Sequence, residues 1–128
     1  MPIFTVSLDG RPANQLQPSV GSKNFSGIAT YYDPNVGACG FTSSGDEFVC
    51  AIADALYETQ TIGGNPNNNA FCRKQISVTG PKGTVIATIV DRCGSYKNMS
   101  GDLDLSRPAF NKISDPINGK IPVTWHFI

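Results

Sequence analysis

The stretch FSGIATYYD, residues 25–33, decides the fold class, because it is rich in residues that favour strands and it stops at Pro34. A second strand is predicted at the end of the chain, where Ile121, Val123, Trp125 and Phe127 alternate with the residues between them. This period of two is typical of a strand with one buried face. Trp125 is therefore expected in the core and His126 on the surface.

Short elements are predicted between these two strands. Residues 48–57 indicate a short strand that passes into one helical turn. Residues 74–79 and 84–91 predict two strands joined by a hairpin connection at residues 80–83. The segment 63–69 is dense in Gly and Asn, so it is predicted to be a surface loop.

A short helix is predicted after residue 105, with Ser106 as its cap and Pro108 in its first turn. Pro116 ends it. Five or six short strands with one minor helix predict a small β-barrel.

Length and charge limit the function classes. The chain has 128 residues, of which 40% are hydrophobic, so it is expected to hold one core. Lys plus Arg equals Asp plus Glu at 10 each, and no run approaches the length of a membrane span. Residues 1–24 contain three prolines and little apolar periodicity, which predicts an irregular N-terminal arm. We expect a monomer whose partner is neither nucleic acid nor membrane.

The four cysteines are expected to form disulfides. They contain no CxxC pair, and the single histidine lies far from them in sequence, so zinc-ligand spacing is absent. Three pairings are open for a set of four. The set is Cys39, Cys50, Cys72 and Cys93.

Two sequons also indicate secretion. They begin at Asn24 and Asn98 and are usable only in a secretory pathway. The first residues lack the basic and apolar regions of a signal peptide, so we expect a mature form or an export signal of another kind. The predicted location is extracellular.

Common catalytic motifs are absent from the sequence: GxSxG, HExxH, GxxxxGK and GxGxxG do not occur. A cysteine nucleophile is not expected, because disulfides account for the cysteines and His126 would have to be its base. The remaining candidates are aspartates at or beside the ends of predicted strands, where side chains can converge on a groove. They are Asp33, Asp91, Asp102 and Asp104. No metal or cofactor is implied.

Five ordered blocks of the sequence resemble the double-psi β-barrel of the expansin superfamily. They are GIATYY at 27–32, GACG at 37–40, VDRC at 90–93, DLDLS at 102–106 followed by Ala109 and Phe110, and VTW at 123–125. The blocks are similar to those of loosenins, small fungal proteins that consist of the expansin barrel alone. The resemblance covers residues 25–128 and implies a mainly β, six-stranded double-psi β-barrel with one or two short helices.

The resemblance implies a secreted protein that binds cell-wall polysaccharide, such as cellulose, chitin or a related glucan, and loosens it without hydrolysis. Thr30, Asp91 and Asp104 match the family's threonine, strand-end aspartate and Leu-Asp-Leu-Ser aspartate. In related barrel-fold endoglucanases the residue matching Asp104 is the general acid, and Asp33 matches the general base. On the residues alone, Asp33 is a turn residue before a proline.

Aromatic residues are further candidates for sugar contact, because an aromatic face suits the apolar face of a pyranose. Tyr31 and Tyr32 are both candidates, although only one of them can face the groove. Asp102 is the remaining polar candidate for substrate binding. Expansins carry an aromatic residue where this chain has Cys93, and Tyr96 could replace it.

The resemblance also implies the disulfide pairing Cys39–Cys72 and Cys50–Cys93, because loosenins commonly place a second cysteine shortly after Asp-Arg-Cys and this chain does not. Two other functions stay open. One is a weak inverting glycoside hydrolase or an enzyme with lytic transglycosylase-like activity, with Asp104 as acid and Asp33 as base. The other is an inhibitor of papain-like cysteine proteases, since small secreted barrels of this family include such inhibitors.

Overall fold

The computed structural model describes residues 24–93 and 101–128, and six of the strands in these residues close a barrel. In chain order the strands are β1 (Asn24–Tyr32), β2 (Val49–Ala53), β3 (Thr61–Ile62), β4 (Asn65–Asn69), β5 (Gln75–Gly80), β6 (Gly83–Cys93), β7 (Leu103–Ser106) and β8 (Ile121–Phe127). The order around the barrel is β1-β7-β2-β6-β5-β8, while β3 and β4 form a separate two-stranded sheet. The predicted six-stranded, mainly β barrel is confirmed.

Two of the barrel's strand pairs are parallel, β1 with β7 and β2 with β6, and the other four are antiparallel. Strand β7 lies between β1 and β2 although it follows both by about 50 residues or more in sequence. Parallel neighbours require long connections, so distant parts of the chain meet in the barrel wall. This order puts the carboxylate of β7 beside β1 and the carboxylate of β6 two strands further round the barrel.

Two short helices lie outside the barrel wall. They are α1 (Asp54–Tyr57), which follows β2 directly, and α2 (Arg107–Ile113), which follows β7. Helix α2 buries Ala109, Phe110 and Ile113. The predicted strand-to-helix passage in residues 48–57 is confirmed. No helix among the described residues is long and apolar enough to cross a membrane.

The core fills the barrel interior with the apolar residues that alternate along each strand. Trp125 on β8 is 1% exposed, and its ring stacks on Phe25 of β1 at 4.2 Å between centroids. Its Nε1 atom donates a hydrogen bond to the carbonyl oxygen of Gly101 at 2.8 Å. Both predictions for the terminal strand are confirmed, since Trp125 is buried and His126 is exposed.

Three local predictions need correction or qualification. Segment 63–69 contains β4, which pairs with β3, so the predicted loop is in part a small sheet. Gly80 pairs with Gly83, so the hairpin between β5 and β6 turns over two residues rather than four. The predicted N-terminal arm lies outside the described residues, apart from Asn24, which begins β1.

Ser106 stands at the predicted N-cap position of α2, but its side chain makes no cap hydrogen bond. Its Oγ atom donates to the carbonyl oxygen of Glu47 at 2.6 Å and accepts from the amide of Val49 at 3.2 Å. The hydroxyl therefore ties β7 to the start of β2. Ser106 is at the predicted position, but the prediction that its side chain caps the helix is wrong. The backbone groups of Glu47 and Val49 take up its hydroxyl instead.

A disulfide joins Cys39 to Cys72, as predicted. The predicted bond between Cys50 and Cys93 is wrong, because both are free. In the pairing of β2 with β6, Cys50 stands opposite Ile89 and Cys93 stands opposite Ala53. Three strand positions, roughly 10 Å, therefore separate the two cysteines. A disulfide needs Cα atoms within about 7 Å.

Candidate functional site

Four adjacent strands bring three predicted site residues into one row. Thr30 of β1 stands opposite Asp104 of β7. Asp104 and Asp91 of β6 each stand opposite Ala51 of β2. Residues in register point to the same face of a sheet, so the three polar side chains share the outer face of the barrel. We call Thr30, Asp104 and Asp91 the site row.

Asp104 is held by a direct hydrogen bond across the row. The hydroxyl of Thr30 donates to Oδ1 of Asp104. Asp104 is half-buried, and its neighbours Leu103 and Leu105 point into the core. Within the described residues no cation forms an ion pair with Asp104. Its carboxylate is therefore oriented by the fold, and no basic side chain in residues 24–93 and 101–128 neutralises it.

Asp91 has a structural task besides its place in the row. Its Oδ1 atom accepts hydrogen bonds from the amides of Ala38 at 2.7 Å and Arg92 at 2.8 Å. The turn it holds packs so closely that a Cβ on Gly37 would lie 2.3 Å from the carbonyl oxygen of Val90. Asp91 therefore fixes the loop that crosses the outer face beside the row.

Tyr32 shares the outer face with Thr30, because the two are separated by one residue on β1. Its hydroxyl is buried and has no hydrogen-bond partner among the described residues. Burial and then the charge of Asp91 raise the pKa of Tyr32 far above its ordinary value. Tyr32 is thus a neutral polar group at the edge of the site row.

Tyr31 does not join the row. Its ring meets Phe110 of α2 edge to face at 5.1 Å, and the guanidinium of Arg107 lies 4.5 Å from its centroid. As the alternation of strand side chains requires, only one of the two tyrosines faces the row. Tyr31 packs under α2 instead.

Asp102 and Cys93 complete the surroundings of Asp104. Oδ1 of Asp102, the residue before β7, accepts a hydrogen bond from the amide of Ile28 on β1 at 2.9 Å. Cys93 is a half-buried free thiol whose pKa is raised to about 12, first by burial and then by the charge of Asp104. Because Cys93 is expected in a disulfide, the sequence does not identify it as a free thiol beside Asp104. The signal that could have found it is its position two residues after Asp91 on the same strand.

Asp33 is not part of the row, because it follows the last residue of β1 and is exposed. Its carboxylate accepts hydrogen bonds from Arg107 Nε at 2.7 Å and Arg107 Nη2 at 3.4 Å. The hydrogen bond from Arg107 and then its charge lower the pKa of Asp33. A lower pKa makes the carboxylate a weaker base.

Two sequence predictions fall outside the described residues. Tyr96, a candidate sugar contact, lies there, as does the sequon asparagine Asn98. In the described part of the chain, no group of three His, Cys, Asp or Glu residues could hold a metal ion.

Sequence comparison identifies relatives of the chain in fungi. A family model described as lytic transglycolase matches residues 24–125. The Allergen Asp f 7 of Aspergillus fumigatus is 31% identical over 123 residues, which cover 91% of this chain and 39% of the allergen. Its homolog in Arthroderma benhamiae is 30% identical over 127 residues, with coverage of 87% and 41%. The chain spans about two fifths of the length of these relatives.

Two kinds of solved structure are similar to the barrel. A Clavibacter michiganensis expansin variant in complex with cellohexaose has a TM-score of 0.66 and 29% identity, covering 83% of this chain and 50% of the expansin. A Streptomyces papain inhibitor has a TM-score of 0.72 and 30% identity, covering 84% of this chain and 96% of the inhibitor.

Proposed function

The chain belongs to the lytic transglycolase family of double-psi β-barrels, and from this premise we propose that it is a secreted expansin-like protein that binds cell-wall polysaccharide and loosens it without hydrolysis. Cellulose, chitin and related glucans are the proposed partners. The observation that carries the proposal is the site row, in which Thr30 orients an unneutralised Asp104 on the outer face of the barrel.

The proposed chemistry is competition for hydroxyl groups. A carboxylate accepts hydrogen bonds through two oxygens, so Asp104 can accept from a sugar hydroxyl while Thr30 holds its other oxygen. Such a bond replaces one between neighbouring polysaccharide chains. A single hydrogen bond to a charged group contributes a net of only about 1.5–3 kcal/mol, so we expect several contacts and a modest affinity.

Hydrolysis by inversion needs a general acid and a general base on opposite sides of the sugar. Asp33 is the proposed base of the hydrolase alternative, but Arg107 already occupies its carboxylate and lowers its pKa. One oxygen of Asp91 is already bonded to two backbone amides. These contacts favour binding by the row over a paired acid and base.

Secretion and saccharide binding have separate support. The disulfide between Cys39 and Cys72 is typical of an oxidising compartment. The similar Clavibacter expansin was solved with cellohexaose, which favours a glucan chain as the ligand of this barrel.

The proposal is tested by incubating the protein with cellulose, chitin and soluble glucans. Bound protein is measured by sedimentation of the solid, and released reducing ends are counted in the same tube. We expect binding to a solid polysaccharide without release of sugar, and weaker binding by Asp104→Asn. Release of reducing ends that disappears in both Asp104→Asn and Asp33→Asn would replace the proposal with the hydrolase alternative.

A second candidate function is inhibition of papain-like cysteine proteases. The observation that favours it is size, because the Streptomyces papain inhibitor is covered over 96% of its length, against 50% for the expansin. A single barrel of this kind therefore suffices for that inhibitor. Stoichiometric inhibition of papain, together with no affinity for any solid polysaccharide, would establish this function in place of loosening.

A further inference from the structure

A concavity of about 530 Å³ lies on the barrel apart from the site row. None of Thr30, Asp91 and Asp104 lines it. It is bounded by the loop before β2 and by the outer side of β6. The lining residues that matter for binding are Phe41, Asp46, Phe48, Arg73, Thr88 and Val90.

Arg73 is the most unusual residue of this concavity. Its φ of 70° lies in the left-handed region, where it is the only non-glycine residue in the described chain. The fold holds it there through the adjacent disulfide of Cys72 and a hydrogen bond from the Arg73 amide to the carbonyl oxygen of Ile89 at 2.9 Å. Backbone in sparsely populated regions clusters at binding sites, where the surrounding structure enforces it.

The guanidinium of Arg73 contacts an aromatic ring and has no neutralising partner in the part of the chain that the structure describes. It lies 4.0 Å from the centroid of Phe41, and no carboxylate in the described residues forms an ion pair with it. A cation over a ring face is attracted to it, and the contact leaves the guanidinium N–H groups available as donors. Arg73 therefore presents hydrogen-bond donors at the concavity.

The other walls supply complementary groups. Phe48 is 39% exposed and offers an aromatic surface, and Val90 adds an apolar one. The carboxylate of Asp46 and the hydroxyl of Thr88 accept hydrogen bonds. Glu47 also lines the concavity, and its Oε2 atom already accepts a hydrogen bond from the amide of Ser44 at 2.7 Å. Two carboxylates and one guanidinium therefore line the concavity, with no ion pair between them among the described residues. A ligand with a strong net charge would meet repulsion from one wall. A neutral ring with one apolar face and several hydroxyls fits all of these groups.

We propose that this concavity is a second saccharide subsite, which takes a neutral pyranose unit of a polysaccharide. The inference rests on the proposed function and extends it beyond the row. Thr88 and Asp91 are three residues apart on β6, roughly 10 Å, and the β-bulge in the pairing of β2 with β6 puts both on the outer face. A single polysaccharide chain of several units can therefore contact both the row and the concavity, across the loop that Asp91 holds.

The test is an NMR titration of the full chain, labelled with ¹⁵N, using cellohexaose and chitohexaose as probes. Amide shifts at Phe48 and Thr88 are expected to saturate together with those at Thr30 and Asp104. The variant Arg73→Asn is chosen because asparagine tolerates the left-handed region. It is expected to abolish the shifts at Phe48 and Thr88 and to weaken hexasaccharide binding about threefold to tenfold.

Ile86→Thr is the matched control, because Ile86 is 48% exposed on β6 and does not line the concavity. It is expected to leave all shifts unchanged. Asp46→Asn is the second variant, since Asp46 is an exposed loop residue whose change leaves the barrel intact. It is expected to weaken binding in the same direction as Arg73→Asn.

Each result decides a different point. Shifts in the row without shifts in the concavity would overturn this inference and leave the proposed function standing. No shift in either region with either probe would overturn both. Shifts in the concavity alone would support the subsite and remove the row from the binding surface.

Discussion

Asp104 and Asp33 carry the same functional group near the same end of the barrel, yet the fold treats them differently. Asp104 lies within a strand, is half-buried, and is oriented by Thr30. Asp33 lies just beyond a strand, is exposed, and is held by the guanidinium of Arg107. Strand register fixes a side chain through many backbone contacts, whereas an exposed ion pair is weakened by water and salt. Position relative to the strand end therefore separates an oriented, half-buried carboxylate from an exposed one.

The largest effect is expected from disturbing the loop beside the row. Gly37→Ala would place a Cβ 2.3 Å from the carbonyl oxygen of Val90, so the backbone must shift where Asp91 holds it. We expect a loss of about 2–3 kcal/mol in the free energy of unfolding, measured by urea denaturation. Gly45→Ala is the control, because nothing lies within 4 Å of its added Cβ. Equal stability of the two variants would show that the loop is not clamped to the row.

The next largest effect separates the two aspartates directly in binding. Hydrogen bonds to charged groups contribute about 1.5–3 kcal/mol, so Asp104→Asn should weaken binding to solid cellulose or chitin about tenfold or more. Asp33→Asn should change it less than about twofold, because its ion pair is exposed. Binding isotherms of both variants provide the measurement. A larger loss of binding in Asp33→Asn than in Asp104→Asn would make Asp33, and not Asp104, the main binding carboxylate.

Cys93 reports the charge of Asp104 through its reactivity. Since its pKa is raised to about 12, the folded thiol should react with iodoacetamide at pH 8 at least about 100-fold more slowly than the same thiol in the unfolded chain. Asp104→Asn removes a charge that raises this pKa, so it should increase the rate several-fold. Asp33→Asn should leave the rate unchanged. An unchanged rate in Asp104→Asn would contradict the proximity of Asp104 to the thiol.

The same thiol predicts a pH dependence of stability. A thiol whose folded pKa is raised contributes its full stability below the unfolded pKa of about 8.5 and loses it as the pH rises towards the folded value. Stability should therefore fall between about pH 8.5 and pH 12, and Cys93→Ser should make this fall smaller. Thermal unfolding across that range measures it. Identical alkaline profiles of the two proteins would count against the raised pKa.

The smallest effect is expected at the exposed ion pair of Asp33 with Arg107. Arg107 lowers the pKa of Asp33, so this pair contributes stability above the unfolded pKa of about 3.9 and loses it as the pH falls through the lower folded value. Because the pair is exposed, Asp33→Asn should change the melting temperature only slightly, and the difference should vanish in 1 M salt. A large change in melting temperature that persists in 1 M salt would show that Asp33 stabilises the fold by more than an exposed ion pair.

The sequence predicts the parts of the fold that depend on local pattern. The alternation in β1 and β8 identifies both strands, but alternation does not say which strand lies beside which. The contact of Thr30 with Asp104 joins residues 74 positions apart, so the site row follows from the resemblance and not from spacing. The predicted disulfide between Cys50 and Cys93 is wrong for the same reason. Strand register alone sets the offset of three positions that keeps the two cysteines apart, and local sequence does not reveal it. Strand β4 was missed because a run of Asn has little strand preference of its own.

The most direct test of the account measures the tensile strength of cellulose and chitin sheets after exposure to wild type, Asp104→Asn and Asp33→Asn, with reducing ends counted in each sample. If Asp104 loosens polysaccharide by binding it, wild type and Asp33→Asn should weaken one of the two kinds of sheet without releasing reducing ends, and Asp104→Asn should do so much less. Weakening that rises in proportion to released reducing ends, or that is equal in Asp104→Asn and wild type, would contradict it.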